Sequence, residues 1–357
     1  MIPHKKYMQQ AVNLAKKGIP DACPNPLVGC IIVKRGQVVG RGYHKECGGM
    51  HAEKAALDQA KHKARNSIMY VTLEPCSHWG KTPPCTEEIV KAGVREIVIG
   101  MKDPNPKVDG YEILKLRGLK ARMGLLEEEC KRLNEGYIKY MKKKIPFVIL
   151  KAGMTVDGKI ATSGGESKYI TGKESLRKVH ELRDSIRVIM VGINTVIKDN
   201  PLLDTRKVKG GETIKLVVDT KLKIPYKAKL LKNPLSVIVA CSERAPKTKM
   251  KNLENMGVRL IRTKPKNNMV DLKQVMKQLA RMGYYNVMLE GGSMLNAGMI
   301  TAKLVDKVML FTSPKILGDD AKGVIGELGI KELKQAVRLK DVKLKKLVRD
   351  ILVEAYL

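Results

Sequence analysis

Residues 74–85 read EPCSHWGKTPPC, and this stretch determines how the first half of the chain is interpreted. The apolar run at 68–73 before it predicts a strand, and residues 87–92 after it predict a helix. A cysteine at a helix N-terminus is favoured as a thiolate, the form that binds metal. The stretch therefore predicts a metal site at a strand-to-helix junction. Strands expected at 28–33, 38–42, 68–73 and 96–101, with helices at 50–64 and 87–92, give an α/β layered domain with the element order β-β-α-β-α-β.

The tripeptide HAE at 51–53 completes this candidate metal site, because it opens a helix predicted over 50–64. One imidazole, from His51, and two thiolates, from Cys76 and Cys85, suit a tetrahedral Zn²⁺ whose fourth position is open to water. Glu53 can reach that water without being a ligand, take its proton and return it to leaving ammonia. An H-x-E motif followed by P-C is typical of zinc-dependent base deaminases, although two residues usually separate their two cysteines, whereas eight separate Cys76 from Cys85.

Two other interpretations of these residues stay open. His51 could be a buried helix histidine, or the site could be a closed structural zinc site with Cys47 or His78 as its fourth ligand. The second would leave Glu53 without a role. The chain has seven cysteines, an odd number that does not suggest a disulfide framework and fits metal binding or buried thiols in a reducing cytosol.

Length and composition indicate a globular protein of two or three domains. The chain has 357 residues, 43% of them hydrophobic, which excludes a disordered or fibrous protein. Its net charge of +32 invites a nucleic-acid interpretation, but the charge is spread along the chain and only 4% of residues are aromatic. We find neither a membrane-spanning run nor a secretory signal, so a cytoplasmic location is expected.

A second α/β domain is predicted after the Lys-Ile-Pro sequence at 144–146, which gives domains 1–145 and 146–357. One helix is expected over 125–143. In the second domain, strands are expected at 147–153, 186–191, 214–219, 236–240, 286–289, 306–312 and 351–356, and helices at 172–184, 270–282 and 293–302. The sequence EGGS at 290–293 lies between a strand and a helix. It is either a phosphate-binding turn or a plain connection.

Together these motifs resemble the bifunctional riboflavin-biosynthesis proteins, in which a pyrimidine deaminase is fused to a 5-amino-6-(5-phosphoribosylamino)uracil reductase. The resemblance covers essentially the whole chain and is most specific in residues 74–85. Further matching segments are 24–29 (PNPLVG), 42–44 (GYH), 103–106 (DPNP), 151–159, 165–171, 180–183 and 192–203. It implies a cytidine-deaminase-like α/β/α layered domain, followed by a dihydrofolate-reductase-like α/β domain that binds NADPH.

The resemblance also implies roles for individual residues. In the first domain, His51, Cys76 and Cys85 would bind Zn²⁺ and Glu53 would move the proton. The first-domain substrate contacts would be Asn25, His44, Lys81, Asp103 and Asn105. NADPH would be bound by Gly153, Tyr169, Thr195, Asp199, Thr220, Gly292, Ser293, Met294, Leu295, Asn296, Ala297 and Gly298. The second-domain substrate contacts would be Lys151, Ser167, Arg183, Leu203, Arg206 and Glu290.

Some of these assignments have alternatives. Asn25 and Asn105 are flanked by prolines and could serve only in turns. Arg183 and Arg206 suit a phosphate, but without the motif context they would be surface arginines. The reductase proton could come from Lys151 or Asp199, and Lys151 could instead be a structural cation.

The chain departs from the family at two places. The loop after 103–106 is about two residues shorter than usual, and Ala55 replaces a histidine that often follows the HAE motif. Three other functions stay open at this point: a nucleic-acid deaminase, a chain active in one half only, and a non-catalytic binding protein. The expected partners are small phosphorylated pyrimidines, with no nucleic acid and no membrane, in a homo-oligomer that the family suggests is a dimer or tetramer.

Overall fold

The computed structural model describes residues 3–79, 83–205 and 212–357, and its chain divides into two compact units, Met1–Lys144 and Ile145–Leu357. Two predicted substrate residues, Lys81 and Arg206, lie outside the described residues. Within the described ranges, no helix has the length and apolar character needed to cross a bilayer.

The first unit is a five-stranded sheet flanked by helices. Its strands are β1 (Gly29–Lys34), β2 (Gln37–Tyr43), β3 (Ile68–Leu73), β4 (Glu96–Met101) and β5 (Lys120–Met123). Its helices are α1 (His4–Ala15), α2 (Ala52–Ala60), α3 (Cys85–Lys91), α4 (Gly110–Leu116), α5 (Glu127–Leu133) and α6 (Glu135–Lys143). The strand order is β2-β1-β3-β4-β5, in which β1 is antiparallel to both neighbours and β3, β4 and β5 are parallel.

Close packing fixes the position of α2, the helix that follows His51. Every residue of β3 and β4 is buried, so the sheet centre is covered on both faces. Gly42 on β2 lies against the first turn of α2, and a Cβ there would stand 2.1 Å from the Ala52 carbonyl oxygen. Only glycine allows this approach, which seats the start of α2 directly on the sheet.

Residues 125–143, which were expected to be helical, form two helices that meet at Asn134. The Asn134 side chain accepts a hydrogen bond from the Leu27 N–H (2.8 Å) and donates one to the Leu27 carbonyl (3.0 Å). Its own φ of −119° lies outside the helical range. The amide thus pairs with the backbone just before β1, and the helix is interrupted there.

The second unit has a nine-stranded sheet and a separate pair of short strands. Its strands are β6 (Phe147–Thr155), β7 (Lys159–Ala161), β8 (Val188–Gly192), β9 (Ile214–Val218), β10 (Val237–Ser242), β11 (Arg259–Thr263), β12 (Asn286–Leu289), β13 (Lys307–Ser313), β14 (Lys322–Gly323), β15 (Lys340–Leu347) and β16 (Asp350–Tyr356). Its helices are α7 (Lys173–Ile186), α8 (Ile193–Asp199), α9 (Lys247–Asn255), α10 (Leu272–Arg281) and α11 (Ser293–Thr301). The sheet order is β11-β10-β9-β8-β12-β6-β13-β16-β15, and β7 pairs separately with β14.

All seven strands and three helices expected in this half are present, with ends shifted by a few residues. The sequence interpretation missed β7, β11, β14, β15, α8 and α9 here, and β5 and α4 in the first unit. Strand β15 has the sequence KDVKLKKL and is exposed at every position except Leu347, so it lacks the buried apolar pattern by which strands are recognised.

The strands from β11 to β13 in this order are parallel, which brings their carboxyl ends to one edge of the sheet. Ligands of open parallel sheets bind at that edge. The segments that leave it after β8, β9 and β12 begin at Ile193, Asp219 and Glu290. The topology therefore gathers the predicted cofactor residues of three separate segments.

Candidate active sites

The structure brings the three predicted metal ligands together in the first unit. His51 is the residue immediately before α2, Cys76 follows β3, and Cys85 is the first residue of α3. The His51 Nδ1 atom lies 3.1 Å from Cys85 Sγ and 3.5 Å from Cys76 Sγ. All three ligand atoms are within 4.8 Å of one another.

This spacing fits a zinc ion. Zn–S bonds near 2.3 Å and Zn–N bonds near 2.0 Å in a tetrahedron give N···S distances of about 3.5 Å. One imidazole and two thiolates also leave a fourth position for a water molecule. Cys47, considered above as a fourth ligand, has its thiol 3.8 Å from the Asn25 Oδ1 atom.

The surroundings of the two cysteines favour a thiolate, the form of cysteine that binds a metal ion. The hydrogen bond from Cys85, and after it the one from His51, lower the pKa of Cys76 to about 4, although burial acts to raise it. The Cys85 backbone N–H also donates to Cys76 Sγ at 3.3 Å. The hydrogen bond to Cys76 raises the pKa of the Cys85 thiol, so the first negative charge of the pair resides on Cys76.

Glu53 lies beside the ligands on the first turn of α2. It is only 4% exposed. Burial first, and then the negative charge of Cys76, raise the pKa of Glu53 to about 7, and its carboxyl interacts with the Cys85 thiol. A buried carboxyl next to the ligands is suited to hold and release a proton.

Asn25 and His44 also belong to this site. The His44 ring lies edge-on to the His51 ring, with centroids 5.8 Å apart. His44 Nδ1 is 3.0 Å from the Met50 carbonyl oxygen and must donate to it, so Nε2 accepts from Asn25 Nδ2, also at 3.0 Å. Burial lowers the pKa of His44, in keeping with this neutral tautomer. The Asn25 side chain is thus directed at the site as well as lying in a turn.

Asp103 and Asn105 lie in the loop between β4 and α4. Asp103 Oδ1 accepts hydrogen bonds from the Asn105 N–H (2.8 Å) and the Tyr137 hydroxyl (3.0 Å). Asn105 Oδ1 accepts from the Lys107 N–H at 3.2 Å, which is a turn interaction. Tyr137 was missed from the sequence, because it is 34 residues from Asp103 and no motif links them.

In the second unit, three predicted substrate residues form a buried ion-pair network. Glu290 follows β12 and is contacted by Lys151 Nζ at 3.1 Å and by Arg183 through Nε (2.7 Å) and Nη2 (3.0 Å). Arg183 also donates to the Asp204 carbonyl at 3.2 Å. Burial alone would raise the pKa of Glu290, but the charges of Arg183 and Lys151 outweigh it and hold the pKa below its usual range. Arg183 was expected to bind a phosphate, whereas here it is paired with a carboxylate.

The start of α11 has the features of a dinucleotide-binding turn. Gly291 is packed so tightly that a Cβ would stand 2.5 Å from Asn296 Oδ1, whereas a Cβ on Gly292 would meet nothing within 4 Å. The helix start carries no side-chain cap, which leaves its N–H groups available. Asn296 Nδ2 donates to the Val324 carbonyl (2.8 Å), and Ser293 Oγ to the Gly323 carbonyl. Met294 is exposed, whereas Ala297 is buried.

The other predicted reductase residues differ in how they are placed. Tyr169 is exposed and lines an open cleft of about 540 Å³ with Thr171, and a Cβ on Gly153 would lie 3.3 Å from Thr171. Thr220 Oγ1 accepts from the Val270 N–H at 3.3 Å. Leu203 has its side chain in the hydrophobic core, so only its backbone can face a substrate. The remaining predicted residues are partly buried or exposed: Ser167, Thr195, Asp199, Leu295 and Gly298.

Comparison with known proteins finds a matching family model in each of the two units. Residues 1–101 match the model of the cytidine and deoxycytidylate deaminase zinc-binding region, and residues 146–353 match the RibD C-terminal domain. The riboflavin biosynthesis protein RibD of Actinobacillus pleuropneumoniae is 40% identical, over 98% of this chain and 94% of that protein.

Solved structures are similar over the full chain. Acinetobacter baumannii RibD is 34% identical with a TM-score of 0.89, covering 99% of this chain and 98% of that one. A Thermotoga maritima diaminohydroxyphosphoribosylaminopyrimidine deaminase/5-amino-6-(5-phosphoribosylamino)uracil reductase is 35% identical with a TM-score of 0.87 and the same coverage.

The fold and the sites define a bifunctional enzyme in which a zinc-binding deaminase unit precedes a reductase unit. The expected pair of α/β folds, one cytidine-deaminase-like and one reductase, is confirmed. More specifically, the chain belongs to the RibD family, the deaminase/reductases of riboflavin biosynthesis.

Proposed function

We propose that the first unit removes an amino group of 2,5-diamino-6-ribosylamino-4(3H)-pyrimidinone 5′-phosphate by hydrolysis. The second unit then reduces the ribosyl group of the product to ribityl with NADPH. The observation that carries the first step is the cluster of His51, Cys76 and Cys85 with buried Glu53 beside it. The substrate is supported by the likeness to the Thermotoga maritima deaminase/reductase.

In the deamination, a C–O bond to water forms, the C–N bond breaks and ammonia leaves. Zinc, when bound by His51, Cys76 and Cys85, supplies the Lewis acidity that activates the water. Glu53 takes a proton from the water and delivers it to the departing nitrogen. His44 and Asn25, fixed by their mutual hydrogen bond, orient the pyrimidine at the edge of the site.

When bound, NADPH would supply the hydride equivalent that reduces C1′ of the opened ribose. The turn at 291–293 and the uncapped start of α11 suit the cofactor's phosphates. We assign Lys151 to holding Glu290 in place, because its ammonium is engaged at 3.1 Å. Arg183 and Glu290, joined by their ion pair, together contact the substrate.

The enzyme is further proposed to work in the cytoplasm as a homo-oligomer, as its family implies. One surface supports self-association: β15 is an edge strand, and Val342, Leu344 and Ile351 on β15 and β16 are exposed. Leu344 continues a cross-strand row through Val353 to Leu310, so an apolar sheet face extends beyond the core. Light scattering should show an oligomer that Leu344→Glu dissociates and that the exposed Leu116→Glu does not. A monomeric wild type would refute the proposal.

A coupled assay tests the proposed function. The diaminopyrimidine ribotide and NADPH are supplied, and ammonia and ribityl product are scored separately. Glu53→Gln should reduce ammonia release by about 10²–10⁴-fold with zinc content unchanged, because the proton carrier is lost but the ligands remain. The variant should still reduce the deaminated substrate. Undiminished ammonia release would refute the role of Glu53, and the absence of NADPH oxidation would refute the second step.

A further inference from the structure

Glu74 connects the substrate loop of the deaminase unit to the loop that carries a metal ligand. It follows β3 directly, stands two residues before Cys76 and is only 3% exposed. Its Oε2 accepts a hydrogen bond from the Asp103 N–H at 3.1 Å, and its Oε1 accepts one from the Tyr111 N–H at 2.9 Å. One carboxyl group therefore holds both ends of the loop between β4 and α4.

Two neighbours of Cys76 hold the same loop. Ser77 Oγ accepts a hydrogen bond from the Asp109 N–H at 2.9 Å. Gly110 lies against the Pro75 carbonyl oxygen, where a Cβ would stand only 2.1 Å away. The residues on both sides of Cys76 are thus in contact with the loop, so a shift of the loop would require a shift of the ligand segment.

The geometry requires a group with two acceptor oxygens at position 74. Both partners are backbone N–H donors, and each needs an acceptor when it is removed from water. A glutamine offers one acceptor oxygen and one NH₂ donor, so one of the two N–H groups would face another donor.

We propose that Glu74 is a positioning residue of the deamination, which keeps Asp103 and Asn105 in register with Cys76 so that the bound pyrimidine meets the metal site. The inference rests on the proposed function, because it takes the loop at 103–105 to contact the substrate. Glu74 acts through the backbone of the loop and does not itself touch the substrate or the metal.

The test compares Glu74→Gln with Glu112→Gln in the full-length, zinc-loaded protein. Glu112 is the matched control, because it lies on α4 near Tyr111 but pairs with Lys115 at the surface. The deaminase KM for the diaminopyrimidine ribotide should rise about tenfold or more in Glu74→Gln, with kcat changed less than threefold, and Glu112→Gln should match wild type. Zinc content and reductase activity, measured on the same samples, should stay unchanged.

A second variant and a second readout separate the possible failures. Gly110→Ala, which pushes the loop away from Pro75, should raise the same KM without touching Glu74. Amide hydrogen exchange at Asp103 and Tyr111 should be faster in Glu74→Gln, whether or not the wild type deaminates this substrate. Loss of zinc with an unchanged KM, or unchanged exchange at both amides, would overturn the proposal. If exchange is faster in Glu74→Gln but the wild type does not deaminate this substrate, the proposed substrate is refuted and the coupling of the two loops stands.

Discussion

Replacing Glu290 with glutamine should destabilise the reductase unit specifically. The side chains of Glu290, Lys151 and Arg183 are only 10%, 14% and 14% exposed, so the charges are largely removed from water. Glu290→Gln keeps the shape but leaves two buried cations without their anion. Breaking a buried ion pair costs about 3–5 kcal/mol, and we expect the lower end because the amide oxygen still accepts one hydrogen bond.

Native-state hydrogen exchange measures this loss unit by unit. A loss of about 3 kcal/mol corresponds to roughly 10²-fold faster exchange, since each 1.36 kcal/mol is tenfold. We expect this change in the slowest amides of β6 and β12 and none in β3 and β4. The control is Glu174→Gln, which removes an exposed carboxylate paired with Arg177 and should change little.

The pH dependence gives an independent check. The pKa of Glu290 is lower in the folded than in the unfolded chain, so its contribution to stability is present above the unfolded value of about 4.3 and is lost as pH falls towards the folded value. The difference between wild type and Glu290→Gln should therefore be constant at neutral pH and shrink in acid. Equal exchange rates at neutral pH, or a difference that grows in acid, would refute the reasoning.

Three further predictions concern the two sites. Gly291→Ala should destabilise the reductase unit by about 1–3 kcal/mol in chemical unfolding, because its Cβ would meet Asn296, whereas Gly292→Ala should fold normally and weaken NADPH binding in titrations. Removal of zinc by a chelator should abolish ammonia release, spare NADPH oxidation and be reversed by added zinc; retained ammonia release would contradict the metal assignment. Because the net charge is +32, kcat/KM for the phosphorylated substrate should fall with ionic strength, and a flat response would show that the charge does not steer it.

The sequence by itself determined the candidate metal ligands and most strands of the two large sheets. The ligands are recognisable because each lies in a short motif at a helix start or strand end, and the intervening elements follow from local apolar runs. Strands β3, β4, β10 and β12 were predicted for the same reason, since buried strands are continuous apolar segments.

Only the tertiary structure decided which distant side chains meet. Lys151 and Glu290 are 139 residues apart in sequence and pair because β6 and β12 are adjacent parallel strands with Leu150 opposite Leu289. Strand order and register are properties of the whole sheet, so no local pattern encodes this contact. The break at Asn134 has the same cause: the residue belongs to an otherwise helical stretch, but its amide pairs with the backbone of Leu27, 107 residues away.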